Sequence, residues 1–132
     1  MQYEPTLSRA ELIELATLRY FGNVDKKDMD AALACFNDEA LFCVQTAFTR
    51  HAGKAAIKRM FEDFFGAFET IVHRDFTCTV DERNGRITAS FEAVLTGHDG
   101  SVTRFFNTNF WRIRDGRFQE VYVYFSGSNV LV

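Results

Sequence analysis

Proline occurs once and glycine eight times in 132 residues, too little of either for a collagenous, linker-rich or low-complexity chain. Cysteine is also scarce. Cys35, Cys43 and Cys78 are odd in number, form no C-x-x-C and sit within apolar stretches. That argues against a disulfide framework or a zinc site and fits buried thiols in a reducing compartment. No apolar run approaches the ~20 residues of a membrane span, and Met1 to Pro5 does not read as a secretion signal. A cytoplasmic protein with no membrane partner is therefore expected. Charge of one sign is lacking too: Lys+Arg 15 against Asp+Glu 18 gives a net −3, scattered along the chain, so no nucleic-acid partner is expected. The three histidines show no i+2 or i+4 pairing, and there is neither a Gly-rich phosphate loop nor a Ser/His/Asp constellation. No metal and no cofactor are expected. What the sequence does hold is aromatic: 15% of its residues, with Phe 15. At this length the chain reads as one domain, residues 1–132, burying about two-thirds of its unfolded surface.

The first half is helical. Ser8-Arg9-Ala10-Glu11 has the spacing of a capping box. Behind it Ile13, Ala16, Thr17, Tyr20 and Val24 recur at steps of three and four, with Leu12 widening the stripe. Asp25 is a second cap candidate, before a short helix carrying Met29, Ala32, Leu33 and Phe36. After Gly53, Ile57, Met60, Phe61, Phe64, Phe65 and Phe68 form one apolar face of a third helix. Between the last two helices, Ala40 to Val44 and Ala47 to Arg50 read as short strands.

The second half is a meander. Strand-like runs at about Thr70–Glu82, Arg86–Gly97, Val102–Arg114 and Arg117–Phe125 are separated by Asn84-Gly85, Asp99-Gly100 and Asp115-Gly116. These pairs favour tight hairpins in which both central residues take positive φ. Helices followed by an antiparallel meander make an α+β fold with the helices on one sheet face. The other face keeps Phe106, Phe110 and Tyr122 or Tyr124, so a homodimer through the outer sheet is expected.

Several residues could carry chemistry. Tyr20 shares its helix face with apolar residues, and a buried phenol usually finds a hydrogen-bond partner. Asn107 and Asn109, at i and i+2, point to one side of a strand between Phe105 and Trp111. Either that side is solvated, or the amides face a pocket holding water or a ligand. Asp25 is either a helix cap or a partner for a histidine. His73 lies, by strict alternation, on the side of Asp75, Thr77 and Thr79. It turns inward only if a bulge near Arg74 or Asp75 reverses the phase, or if the strand begins after it. His51 reads as a surface histidine in a loop, and Arg112, Arg114 and Arg117 as a solvated hairpin end. The apolar tail Asn129 to Val132 either closes a pocket or crosses to a partner.

The order helix–helix–short hairpin–helix–four-stranded meander resembles the nuclear-transport-factor-2-like superfamily, with its SnoaL-like polyketide cyclases, ketosteroid isomerase and scytalone dehydratase. The resemblance is carried by Arg19-Tyr20, Asp25 with Asp28-Met29-Asp30, Cys35-Phe36, Asp38-Glu39-Ala40, Gly53 before Ala56-Ile57, and Phe110-Trp111-Arg112 with Asp115-Gly116. It spans nearly the whole chain. It implies three N-terminal helices packed in the concave face of a curved, mostly antiparallel sheet: a cone-shaped, cystatin-like barrel with a pocket open at one end. By the same resemblance, Tyr20 falls on the tyrosine with which ketosteroid isomerase holds an oxyanion, and Asn109 on its protonated aspartic acid. Asn107 falls near an asparagine lining the scytalone dehydratase site. Val44 falls on the isomerase's base, which valine cannot replace. Asp25 and His73 fall on the aspartate and a histidine of scytalone dehydratase. That enzyme's two water-holding tyrosines fall on Val24 and Gln45, and its second histidine has no secure match, although His98 lies nearby.

The expectation is a pocket for a small hydrophobic ligand. Asp25, His73 and Tyr20 are its catalytic candidates, and Asn107, Asn109, Trp111, Phe105, Val44 and Phe61 its substrate-binding ones. The chemistry implied is cofactor-free isomerisation, dehydration or cyclisation of a carbonyl compound. The alternative is a non-catalytic ligand-binding or protein-interaction module of the same fold.

Overall fold

The computed structural model describes residues 6–132; the reading of Met1 to Pro5 lies outside them. Ser8 opens the first helix with the expected capping box, its side chain accepting from the Glu11 amide while Glu11 reaches back. Helix α1 (Arg9–Ile13) runs without a break into a π-helical turn, Glu14–Tyr20, and then into α2 (Phe21–Asp25). In a π turn the hydrogen bonds run i→i+5, which shifts the phase of everything that follows. Tyr20 and its immediate neighbour Phe21 are both buried, at 2% and 3% exposure; Phe21 lies beside the expected stripe through Tyr20 and Val24 and widens it.

The cap of the next helix, α3 (Met29–Leu33), is Asp28 and not Asp25: Asp28 Oδ1 accepts from the Ala31 amide at 3.1 Å. That helix stops short of Phe36, which opens strand β1 (Phe36–Val44). β1 forms a hairpin with β2 (Thr49–Ala52), two residues later than expected. Helix α4 (Lys54–Ala67) buries Ile57, Met60, Phe61 and Phe64, while Phe68 begins β3 (Phe68–Asp81). Then follow β4 (Arg86–Gly97), β5 (Val102–Arg114) and β6 (Arg117–Tyr124). The six strands form one sheet in the order β2-β1-β6-β5-β4-β3, antiparallel except where β1 runs beside β6. No helix among the described residues is long and apolar enough to cross a membrane.

Of the three hairpin pairs, only Asp115-Gly116 is the two-residue turn with both φ positive (54° and 75°). At Asn84-Gly85 the chain makes a short 3₁₀ turn in which Asp81 accepts from the Asn84 amide, and only Gly85 is left-handed. At Asp99-Gly100 the aspartate accepts from the amide and hydroxyl of Ser101 instead. Local side-chain acceptors thus lengthen two turns that dipeptide preference alone would make tight.

The helices lie against one face of the sheet and enclose an aromatic core. Phe36, Phe42 and Phe118 are fully buried, and Phe118 stacks on Trp111 (centroids 5.7 Å apart). Cys35 and Cys43 are buried and Cys78 is half-buried; all three are free thiols. Two residues expected at the surface are not there. His51 is buried, its Nε2 bonded to the Leu131 carbonyl at 2.9 Å, because the C-terminal tail folds over β2. The Arg112 side chain is 14% exposed and lies 3.6 Å from Glu120 on the neighbouring strand.

Candidate active site

Asp25 is the last residue of α2, and His73 lies on β3, which that helix crosses. The carboxylate makes two bonds to one residue: Oδ1 to His73 Nδ1 at 2.5 Å and Oδ2 to the His73 backbone amide at 2.8 Å. The second fixes the strand and the first fixes the ring, so Asp25 selects the tautomer with its proton on Nδ1 and leaves Nε2 as the lone-pair nitrogen. The imidazole is 8% exposed and stacks on Phe21, ring centroids 4.2 Å apart.

Its inward orientation comes from the bulge that the alternation argument required. Register slips between Arg74 and Thr77, and Asp75 takes a left-handed φ of 60°. Two residues of β3 there oppose a single residue of β4. Alternation therefore restarts, and His73 and Phe76 both turn toward the helices. On the outer face Arg74 pairs with the largely buried Glu92 at 3.1 Å, just before the slip.

His73 lines a cavity of about 30 Å³ between the helices and the sheet, bordered also by Tyr20, Phe61, Phe105, Asn107 and Asn109. Such a volume holds two or three waters at most, each needing about 10–15 Å³. The Asn pair is inward: Asn107 and Asn109 are 4% and 3% exposed. Asn107 Oδ1 accepts from the Ser126 amide at 3.2 Å. Asn109 Oδ1 is buried and has no donor among the described residues, an unpaired acceptor of the kind a bound ligand or water satisfies. Burial raises the Tyr20 phenol well above its ordinary pKa of 10.0, with the nearby Cys35 and Asp25 adding to the effect. Near neutrality it is a hydroxyl donor.

Two residues expected in the wall are not in it. Val44 is fully buried in the core, and Trp111, on the same strand face as Asn109, is held beneath the site between Phe118 and the edge of Tyr20. Neither borders the cavity. His98 is exposed, bonded to Glu69 at 3.0 Å and to the Gly66 carbonyl at 2.8 Å, and plays no part in the site.

Other walls were not among the expected residues. Phe21 lies beside the stripe through Tyr20 and Val24. Phe91 sits in the alternation Ile87, Ala89, Phe91, Ala93, Leu95, a pattern legible in the sequence. Phe125, Val130 and Leu131, after the last strand, complete the mouth.

No protein of curated function matches the chain in sequence. The fold recurs among solved structures. A protein of Xanthomonas campestris pv. campestris named as a polyketide cyclase superposes with a TM-score of 0.78 at 21% identity, over 88% of this chain and 90% of that one. A Bacillus subtilis protein named as an isomerase gives 0.78 at 19% identity, over 89% and 87%. An NTF2-like protein of unknown function from Exiguobacterium sp. 255-15 gives 0.72 at 21% identity, over 83% and 97%. At such identities the likeness is one of fold. The profile of the SnoaL-like domain matches residues 17–121, from the turn that carries Tyr20 to the last strand of the meander. The chain belongs to the SnoaL-like domain family.

Proposed function

We propose that this protein is a cofactor-free enzyme that moves a proton on a small apolar carbonyl compound, as an isomerase, dehydratase or cyclase. The observation that carries the reading is the Asp25–His73 pair at 2.5 Å, at the edge of an aromatic cavity into which Asn109 brings a buried, unpaired carbonyl oxygen. With its proton on Nδ1 held by Asp25, His73 uses Nε2 to take a proton from the carbon next to the substrate carbonyl. Negative charge then develops on the carbonyl oxygen. The neutral Tyr20 hydroxyl and the Asn109 amide, turned to present its NH₂, are the donors that meet it. The imidazolium, stabilised by the Asp25 carboxylate, returns the proton to a second carbon in isomerisation or to a departing hydroxyl in dehydration. The aromatic walls exclude water and suit a ring. The three free thiols support a cytoplasmic setting.

The competing reading is a module that binds a ligand without turning it over, favoured by valine at position 44 and by the small cavity. Hydrogen–deuterium exchange into small cyclic ketones, followed by NMR, separates the two. His73→Ala is expected to lower the exchange rate by about 10²–10⁴-fold. Exchange that is absent from the intact chain, or that falls less than tenfold in the variant, removes His73 from a catalytic role and leaves the binding module.

A further inference from the structure

The cavity is too small for the ligand class just proposed. A dry cavity that accepts benzene has a volume of about 150 Å³, against the roughly 30 Å³ present here. Some part of the wall must move, and the parts differ in how they are held. Phe42, Phe91, Phe105 and Val123 are tied into ladders of the sheet, and Tyr20, Phe61 and Phe64 into helices packed on it. Phe125, Val130 and Leu131 belong to neither.

The segment from Phe125 to Leu131 lies across the mouth as a strap, held by separate latches. The Phe125 amide donates to Thr46 Oγ1 at 3.2 Å and the Ser126 amide to Asn107 Oδ1 at 3.2 Å. His51 Nε2 donates to the Leu131 carbonyl at 2.9 Å, and Asn129 Nδ2 to Thr49 Oγ1 at 3.4 Å. Gly127 lies against the ring of Phe105, where an added Cβ would come within 2.7 Å of it. The ligand-facing Asn107 therefore uses its carbonyl to hold the strap, and the buried His51 secures the strap's far end.

We propose that this C-terminal strap, through Phe125, Val130 and Leu131, is the specificity-determining wall of the cavity. Ring-sized ligands reach His73 and Asn109 only when residues 129–131 lift from His51 and Thr49. The proposal rests on the cavity being the ligand site, as in the function proposed above, but it concerns admission and not chemistry.

The test is binding of 2-naphthol, followed by its fluorescence, to three proteins: the intact chain, a chain ending at Ser128, and His51→Phe, which keeps the ring packed on Phe42 and removes the latch. Expected is at least tenfold tighter binding by the shortened chain and an intermediate gain in His51→Phe. In the intact chain, 2-naphthol is expected to speed amide exchange at Leu131. Melting curves establish that each variant is folded, and His51→Phe decides the matter if the shortened chain is not. Equal affinity in the folded proteins, or no binding by any of them, overturns the proposal. Dependence of ketone exchange on His73 is scored separately, so the catalytic reading stands or falls on its own.

Discussion

A phenol held as deeply as that of Tyr20 stays protonated in the folded chain at pH values where an unfolded tyrosine ionises. Above pH ~10 the unfolded state therefore binds fewer protons than the folded one, and stability falls by up to about 1.4 kcal/mol per pH unit from this group. Below that pH the contribution is intact. Urea unfolding at pH 9 and pH 11 is expected to show a larger loss in the native sequence than in Tyr20→Phe. The thiols of Cys35, Cys43 and Cys78, also raised by burial, add the same background to both. An equal loss in the two proteins would place the Tyr20 hydroxyl in contact with solvent. At this scale the burial of Tyr20 is legible from its stripe, whereas alternation puts the two asparagines on one side of their strand without deciding which side faces inward. The sequence was not legible where the deciding group lies far along the chain. Asp25 could be read as a cap because its partner is 48 residues away, and His51 as a surface residue because the tail that buries it is 80 residues away.

In β3 the slip at Asp75 sets the phase between the strand's two halves. Asp75 tolerates its φ of 60° because aspartate is among the few residues other than glycine that visit the left-handed region. A β-branched side chain there crowds its own backbone. Asp75→Val is expected to cost about 1–3 kcal/mol, and Asp75→Gly to stay within about 1 kcal/mol of the native protein, both read from urea midpoints. Identical stabilities would mean that the bulge relaxes into a regular ladder at no cost. The four strands of the meander are readable to within two residues at each end, since β-branched and aromatic alternation repeats over many positions. The slip that turns His73 inward was not, because no residue in Arg74-Asp75-Phe76 demands it in isolation. The demand comes from β4, where Glu92 faces Arg74 across the ladder and unbroken alternation leaves no other side for His73.

For the whole molecule, the outer sheet face raises the question of what covers it. Phe106, Phe110 and Tyr124 are 70%, 44% and 42% exposed, and the last two touch edge to face with centroids 5.6 Å apart. A second copy of the chain is the partner expected there. Light scattering coupled to size exclusion should give twice the chain mass, and Phe106→Asp with Phe110→Asp should halve it. A native chain that elutes as a monomer would leave these aromatics without that role. Fold class was the most legible level of all, because the order of helices and strands is repeated evidence in which small errors at the ends cancel. The closure of the cone was the least legible, since it depends on a tail without periodicity, held by single hydrogen bonds.

The π turn of the first helix closes each hydrogen bond over one residue more than an α-helix does, and the bulge at Asp75 sets two residues of a strand against one. A homologue lacking either one would match this chain column for column up to the insertion and run one column out of step beyond it. A gap placed within Glu14–Tyr20 would bring Asp25 and His73 back into step with such a homologue, and one beside Asp75 would do the same for Asn107 and Asn109. An ungapped comparison pairs some of those residues with their neighbours' equivalents and misses the site.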